Sequence, residues 1–210
     1  MNISQFLTRA WFMRLLVFAV AGSALYWCIG TVRATTRAES LVAVDLSGVH
    51  HLGDKFNVPH FYVDRYIGGN VGREGESGFT CCVLLPRTWR PELSVEVRWS
   101  VGDWTNENRA ELEAGNFDSV SGMAYIARVP VERYEVAEHV WVHFYAGGKA
   151  RVVSSPTGSW GAKHPIQDND PHAIDSATAG RRVDDLFSPE ELAEMKRKDL
   201  ERRKTFGDWR

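Results

Sequence analysis

Residues 139 to 155 read HVWVHFYAGGKARVVSS, two β-rich runs around Gly147-Gly148-Lys149, and no other stretch restricts the available folds as strongly. Central glycines supply the positive φ of a tight turn, and the flanking β-branched and aromatic residues suit a pleated surface, so the run predicts a hairpin. Ser94 to Trp99 alternates, with Val95, Val97 and Trp99 on one face and Glu96 and Arg98 on the other. Shorter runs at Leu41 to Val44, Phe61 to Tyr66, Phe79 to Leu85 and Met123 to Val131 are separated by Gly, Pro and Asn. This many short strands predicts a mainly β domain, an antiparallel β-sandwich or open barrel.

Two stretches depart from that pattern. Asn106 to Ala114, rich in Glu and Ala before Gly115, predicts a short helix in a loop between strands. Ser188-Pro189-Glu190-Glu191 is a capping box with proline at the first helical position, and it predicts a charged helix to about Lys204. Leu192, Met195 and Leu200 make only a thin apolar stripe on it, so it reads as a solvated arm that docks weakly.

The first forty residues follow a different logic. Arg9 and Arg14 precede an apolar run from Leu15 to Val32, and Arg33 and Arg37 follow it. A helix of that length reaches about 27 Å, enough to cross the hydrocarbon core of a bilayer. The expected organisation is an N-terminal transmembrane helix as a signal-anchor in 1–37, a β-rich periplasmic domain in 38–165, a linker in 166–187 and the charged helical arm in 188–210. The expected location is the inner membrane, single-pass, with the C-terminal domain periplasmic. Two alternatives stand beside the uncleaved anchor: cleavage after Gly22-Ser23-Ala24, and lipidation at Cys28, where Trp27 occupies a position that lipoprotein processing reserves for a small residue.

Residues 38 to 210 hold all 27 acidic side chains but only 21 of the 25 basic ones, because four arginines lie upstream, leaving a formal charge of −6. Nucleic acid and anionic headgroups are therefore poor partners. Cys81 and Cys82 are neighbours, and consecutive strand side chains point to opposite faces. Two buried, inert thiols are the simpler expectation, given the apolar Val83, Leu84 and Leu85, and a vicinal bridge in a distorted turn is the alternative.

No catalytic, cofactor or metal site is expected. IGGNVGREGESG, residues 67 to 78, lacks the Lys-Ser/Thr ending of a phosphate-binding loop and reads as a mobile loop. Within it Gly75-Glu76-Ser77-Gly78 is a faint match to a serine-protease nucleophile segment, in a chain too short for the double barrel that chemistry requires. His50, His51 and His60 lack metal-binding spacing, and His139 and His143 read as exposed strand residues about 13 Å apart on one side.

The glycine-rich stretch followed by Cys81-Cys82-Val83-Leu84-Leu85-Pro86, then Trp89-Arg90-Pro91 and Val95-Glu96-Val97-Arg98-Trp99, is an unusual succession. With Val129-Pro130-Val131, Tyr134, Val142-His143-Phe144 and Arg151-Val152-Val153-Ser154, it resembles a family of small Gram-negative envelope proteins classed as a domain of unknown function. The resemblance spans roughly residues 45 to 165. Many of those proteins look like lipoproteins, a pattern from which Trp27 departs. The resemblance implies that some members are immunity proteins for type VI secretion phospholipase effectors of the α/β-hydrolase kind.

The functional expectation is therefore a non-enzymatic, membrane-anchored immunity protein, needing no cofactor, that binds and neutralises a cognate secreted phospholipase effector in the periplasm. Its expected contact is the loop carrying Trp104, Asn106, Glu107, Glu111, Glu113 and Asp118. The alternative is a non-catalytic envelope or secretion-machine assembly protein.

Overall fold

The computed structural model describes residues 40–167 and 170–206; the expected anchor in 1–37, with Cys28, lies outside them. Among the described residues no helix is long and apolar enough to cross a membrane. The strands are β1 (Leu41–His50), β2 (Phe56–Val63), β3 (Tyr66–Val71), β4 (Thr80–Pro86), β5 (Ser94–Asp103), β6 (Ser121–Pro130), β7 (Val140–Tyr145), β8 (Lys149–Ser154), β9 (Thr178–Ala179) and β10 (Arg181–Val183). Among the described residues the helices are α1 (Arg109–Glu113) and α2 (Pro189–Phe206).

The strands form two five-stranded sheets, ordered β4-β1-β7-β8-β9 and β10-β6-β5-β2-β3. The domain is mainly β, as expected, with one core shared between two sheets. The second sheet is antiparallel throughout, whereas the first contains a parallel pair, β1 with β7. β1 divides its pairing: Leu41 to Leu46 run antiparallel to β4, and Leu46 to His50 run parallel to β7.

Alternation assigns the faces. Val140, Val142 and Phe144 of β7 and Val95, Val97 and Trp99 of β5 enter the core between the sheets. Phe144 anchors its centre, with ring centroids 5.3 Å from Phe61 and 5.7 Å from Trp99. All three rings are fully buried, each worth about 1.5–3 kcal/mol of transfer free energy. The Phe61 ring occupies the space where a Cβ on Gly68 would stand. Residues 66–71 are thus strand β3 under the core, a correction to the mobile loop expected over 67–78.

Trp141, His143 and Tyr145 point to the opposite face of the first sheet, and that face is covered too. The irregular segment after β8 lays Ile166 and Ala173 on Val49, Trp141, Tyr145 and Val153. Every residue of β7 is consequently buried. The segment expected as a linker then supplies β9 to the first sheet and β10 to the second. Between β7 and β8, Gly147 and Gly148 take φ of 73° and 67°, the left-handed conformation the hairpin demands.

The helix α2 starts at the predicted capping box, where the Ser188 hydroxyl accepts from the Glu191 N–H and the Glu191 carboxylate accepts from the Ser188 N–H. Its attachment is firmer than the expected weak docking. Arg98, only 6% exposed, donates to both Glu191 carboxylate oxygens at 2.8 Å, to Glu96 at 2.7 Å and to the Leu186 carbonyl at 2.7 Å. Phe187 packs edge-on against Tyr62 and lies under the Arg98 guanidinium. Hydrogen bonding to Arg98 holds the Glu191 carboxyl down to about 2. Leu192 and Leu200 remain exposed, so an ion pair and one aromatic ring fix the arm where its apolar stripe does not.

Candidate functional site

Three places concentrate chemistry-bearing side chains. The first is the β5–β6 excursion, which holds the expected contact residues. Trp104 donates its indole N–H to Asn57 Oδ1 at 2.8 Å, and its ring meets Phe117 edge-on and lies under the Arg73 guanidinium. Glu107 pairs with Lys55 at 3.2 Å and Arg73 at 3.1 Å, and the Lys55 hydrogen bond leads in lowering its pKa. These two residues are struts that tie the excursion to the β2 and β3 side of the domain.

Helix α1 is capped by Asn108, whose side chain accepts from the Ala110 and Glu111 N–H groups and donates to the Glu111 carboxylate at 2.9 Å. Glu113 pairs with Arg109 on the solvent side. Asn106, Glu113 and Asp118 are exposed, and Phe117 is 58% exposed at the tip. The excursion from Asp103 to Asp118 carries five acids and one arginine. Its geometry is a braced acidic ridge with one aromatic side chain standing out of it.

The second place is a row of imidazoles under the segment after β8. Thr157 contributes a carbonyl, which only accepts, so His164 donates to it through Nδ1–H at 2.8 Å. His164 Nε2 then carries a lone pair and accepts from His143 Nε2–H at 3.0 Å. His143 Nδ1 in turn accepts from His51 Nε2–H at 2.9 Å. With neutral rings the donors all run one way, from His51 to Thr157. His51 also stacks between His143 and Tyr145, with ring centroids 5.2 and 4.7 Å away.

His143 is fully buried, which corrects the expectation of an exposed strand residue. The reason is the second covered face of β7, which period-two alternation does not reveal. Burial, reinforced by His51, His164 and Arg151, holds the His143 pKa well below its ordinary value. Burial also raises the Tyr145 phenol to about 12. The nitrogens of His143 and His164 are all committed to this row, so it fastens the covering segment to the sheet. A second fastening lies nearby, where the Ser159 hydroxyl donates to Glu76. Ser77 is buried, and its hydroxyl accepts from the Gly48 N–H and meets Ser47. His50 is likewise buried, bonded through Nε2 to the Gly72 carbonyl, and burial lowers its pKa.

The third place is the outer edge of the first sheet. Cys81 and Cys82 are joined by a disulfide within β4, with Cys81 exposed and Cys82 half-buried. The expectation of two buried thiols is therefore corrected, because β4 is an edge strand and Cys81 lies on its solvent side. The pairing register of β1 with β4 shifts between Val44 and Leu46, so Asp45 faces both cysteines across a bulge. Asp45 Oδ2 lies 3.4 Å from His139 Nδ1, and His139 stands just before β7 beside Phe79.

The imidazole row was not expected from the sequence, and of the sulfur-bearing edge only the vicinal bridge was, as the alternative to two thiols. The signals were present as residue types, but their partners come from segments far apart in the chain. No curated protein and no solved structure matches this chain. Residues 53–152, from the turn after β1 into β8, match the family described as "Protein of unknown function (DUF3304)".

Proposed function

We propose that this chain is a non-catalytic binding protein that neutralises a secreted phospholipase effector in the periplasm, held at the inner membrane by its N-terminal segment. The observation that carries the reading is the braced β5–β6 excursion. Trp104 and Glu107 are spent on holding it in shape, while Phe117, Asn106, Glu113 and Asp118 face solvent. A ridge whose conformation is already paid for loses little entropy on docking, and an aromatic anchor ringed by polar groups is what seals a cleft. An inhibitor of a lipase need only occlude the cleft or block its lid. The excursion's acidic excess favours a basic rim on the partner and acts mainly on the rate of capture.

Support also comes from the resemblance noted above, and the domain match at residues 53–152 includes the entire excursion. The test is co-expression with a periplasm-directed candidate phospholipase encoded beside this chain's gene. Survival of the cells and recovery of a one-to-one complex are expected. Killing that continues unchanged, with no complex at micromolar concentration, would refute the reading and favour the envelope-assembly alternative.

A further inference from the structure

The geometry points to a redox-gated zinc site at the edge of the first sheet, formed by Cys81, Cys82, Asp45 and His139 once the vicinal disulfide is reduced. Asp45 and the two cysteines each present a ligand atom, and these atoms lie within 4.8 Å of one another. His139 Nδ1 is 3.4 Å from Asp45 Oδ2. A tetrahedral zinc with bonds of about 2.0–2.3 Å has ligand-to-ligand edges of about 3.3–3.8 Å, so the His139–Asp45 pair already spans one such edge. Two thiolates, an imidazole and a carboxylate make a four-ligand set suited to zinc.

The placement follows from the fold. The bulge turns Asp45 toward both cysteines, and the parallel pairing of β1 with β7, with Leu46 opposite Val140, brings the residue preceding β7 beside Asp45. A shallow hollow lined by Val44, Asp45, Ala137 and His139 opens beside the cluster. Cys81 is exposed on an edge strand, so an attacking thiolate has access to the bond.

The chemistry balances with a dithiol reductant. One reductant thiolate attacks a cysteine Sγ and breaks the S–S bond, giving a mixed disulfide and one cysteine thiolate. The second reductant thiol closes on the first, leaving as a cyclic disulfide and releasing the other cysteine. Two electrons reach the protein, the reductant is oxidised by two, and two protons end on the cysteine sulfurs. Zinc then displaces both protons as it binds. The oxidised edge is closed by a covalent bond, and the reduced edge by a metal joining β1, β4 and the approach to β7.

The test uses the full chain and zinc alone, or cobalt(II) as its coloured substitute. After reduction by dithiothreitol and removal of excess reductant under argon, one equivalent of zinc per chain is expected to resist a chromophoric chelator. The oxidised chain should retain none. Cobalt should give thiolate charge-transfer absorption and tetrahedral d–d bands in the reduced chain alone. Asp45→Asn and His139→Gln leave the cysteines in place, and each should weaken zinc by about tenfold or more through loss of a ligand. Circular dichroism verifies that the reduced chain and each variant are folded. Equal zinc retention by the oxidised and reduced chains would overturn the proposal. Zinc held with undiminished affinity by both variants would also overturn it, since the thiols alone would then account for binding. Unfolding of the reduced chain that zinc does not reverse would overturn it as well.

Discussion

His143 should make this domain acid-labile in a narrow and identifiable window. It sits fully buried between His51 and His164, with one ring nitrogen accepting and the other donating. Protonating it in place would turn Nδ1 into a donor facing the His51 donor, inside a volume that also penalises charge. Burial accordingly depresses its pKa from the ordinary 6.5. The sign follows from linkage. Above 6.5 both folded and unfolded states carry a neutral ring and the full stability is present. As pH falls below 6.5 the unfolded chain binds a proton that the folded chain refuses, and stability is lost down to the folded pKa. The slope in that window is at most about 1.4 kcal/mol per pH unit for each such histidine. His50, also depressed, adds a smaller loss in the same window. The carboxylates lowered by their partners, Glu191 foremost, lose their contribution only below their unfolded value of 4.5, so they do not overlap. Urea unfolding at pH 7.5 and at pH 5 reads the difference directly. In His143→Gln, whose amide supplies a donor and an acceptor but does not titrate, the drop should shrink by up to about 1.4 kcal/mol per pH unit of that window. An identical drop in parent and variant would refute the assignment, as would a parent whose stability is flat across the window.

Two further outcomes follow from the packing. Arg98→Ala removes the guanidinium that Glu96, Glu191 and the Leu186 carbonyl share, and should cost about 2–3 kcal/mol after discounting for the partial exposure of its partners. Amide exchange should then rise across α2 while the sheets stay protected. Trp104→Ala removes the post under the β5–β6 excursion, so limited proteolysis should cut between Asp103 and Asp118 in the variant while the sheet core remains intact.

Much of the two-sheet fold is legible in the residues that alternate. Val95, Val97 and Trp99 reach the inter-sheet core as their spacing requires, and the Gly147-Gly148 turn closes the hairpin it announces. The capping box at Ser188 starts α2 where expected. What stays hidden is carried by contacts between segments with no shared period. His143 reads as exposed because its cover is an irregular segment, whose apolar residues at the interface, Ile166, Ala173, Ile174 and Ala177, follow neither a helical nor a strand period. Arg98 occupies the polar face of β5 by alternation, yet Glu191, 93 residues later, buries it. Within the excursion, the Glu- and Ala-rich run before Gly115 signals a helix over 106–114, of which Arg109–Glu113 form one, but nothing local marks Trp104 and Glu107 as internal struts. Asp45 meets the cysteines only because a bulge shifts the register, and bulges leave no reliable trace in hydropathy.

The central claim is that the β5–β6 excursion captures a phospholipase and blocks it. The most direct measurement is a titration of the candidate phospholipase with this chain, reading both binding heat and hydrolysis of a phospholipid substrate. One equivalent of the parent should abolish hydrolysis. A variant combining Phe117→Ala with Glu111→Lys, Glu113→Lys and Asp118→Lys should fold normally and bind at least about 100-fold more weakly, the loss expected on removing an aromatic anchor and reversing the charge around it. Full inhibition by that variant, or undiminished hydrolysis with a saturating excess of the parent, would contradict the account.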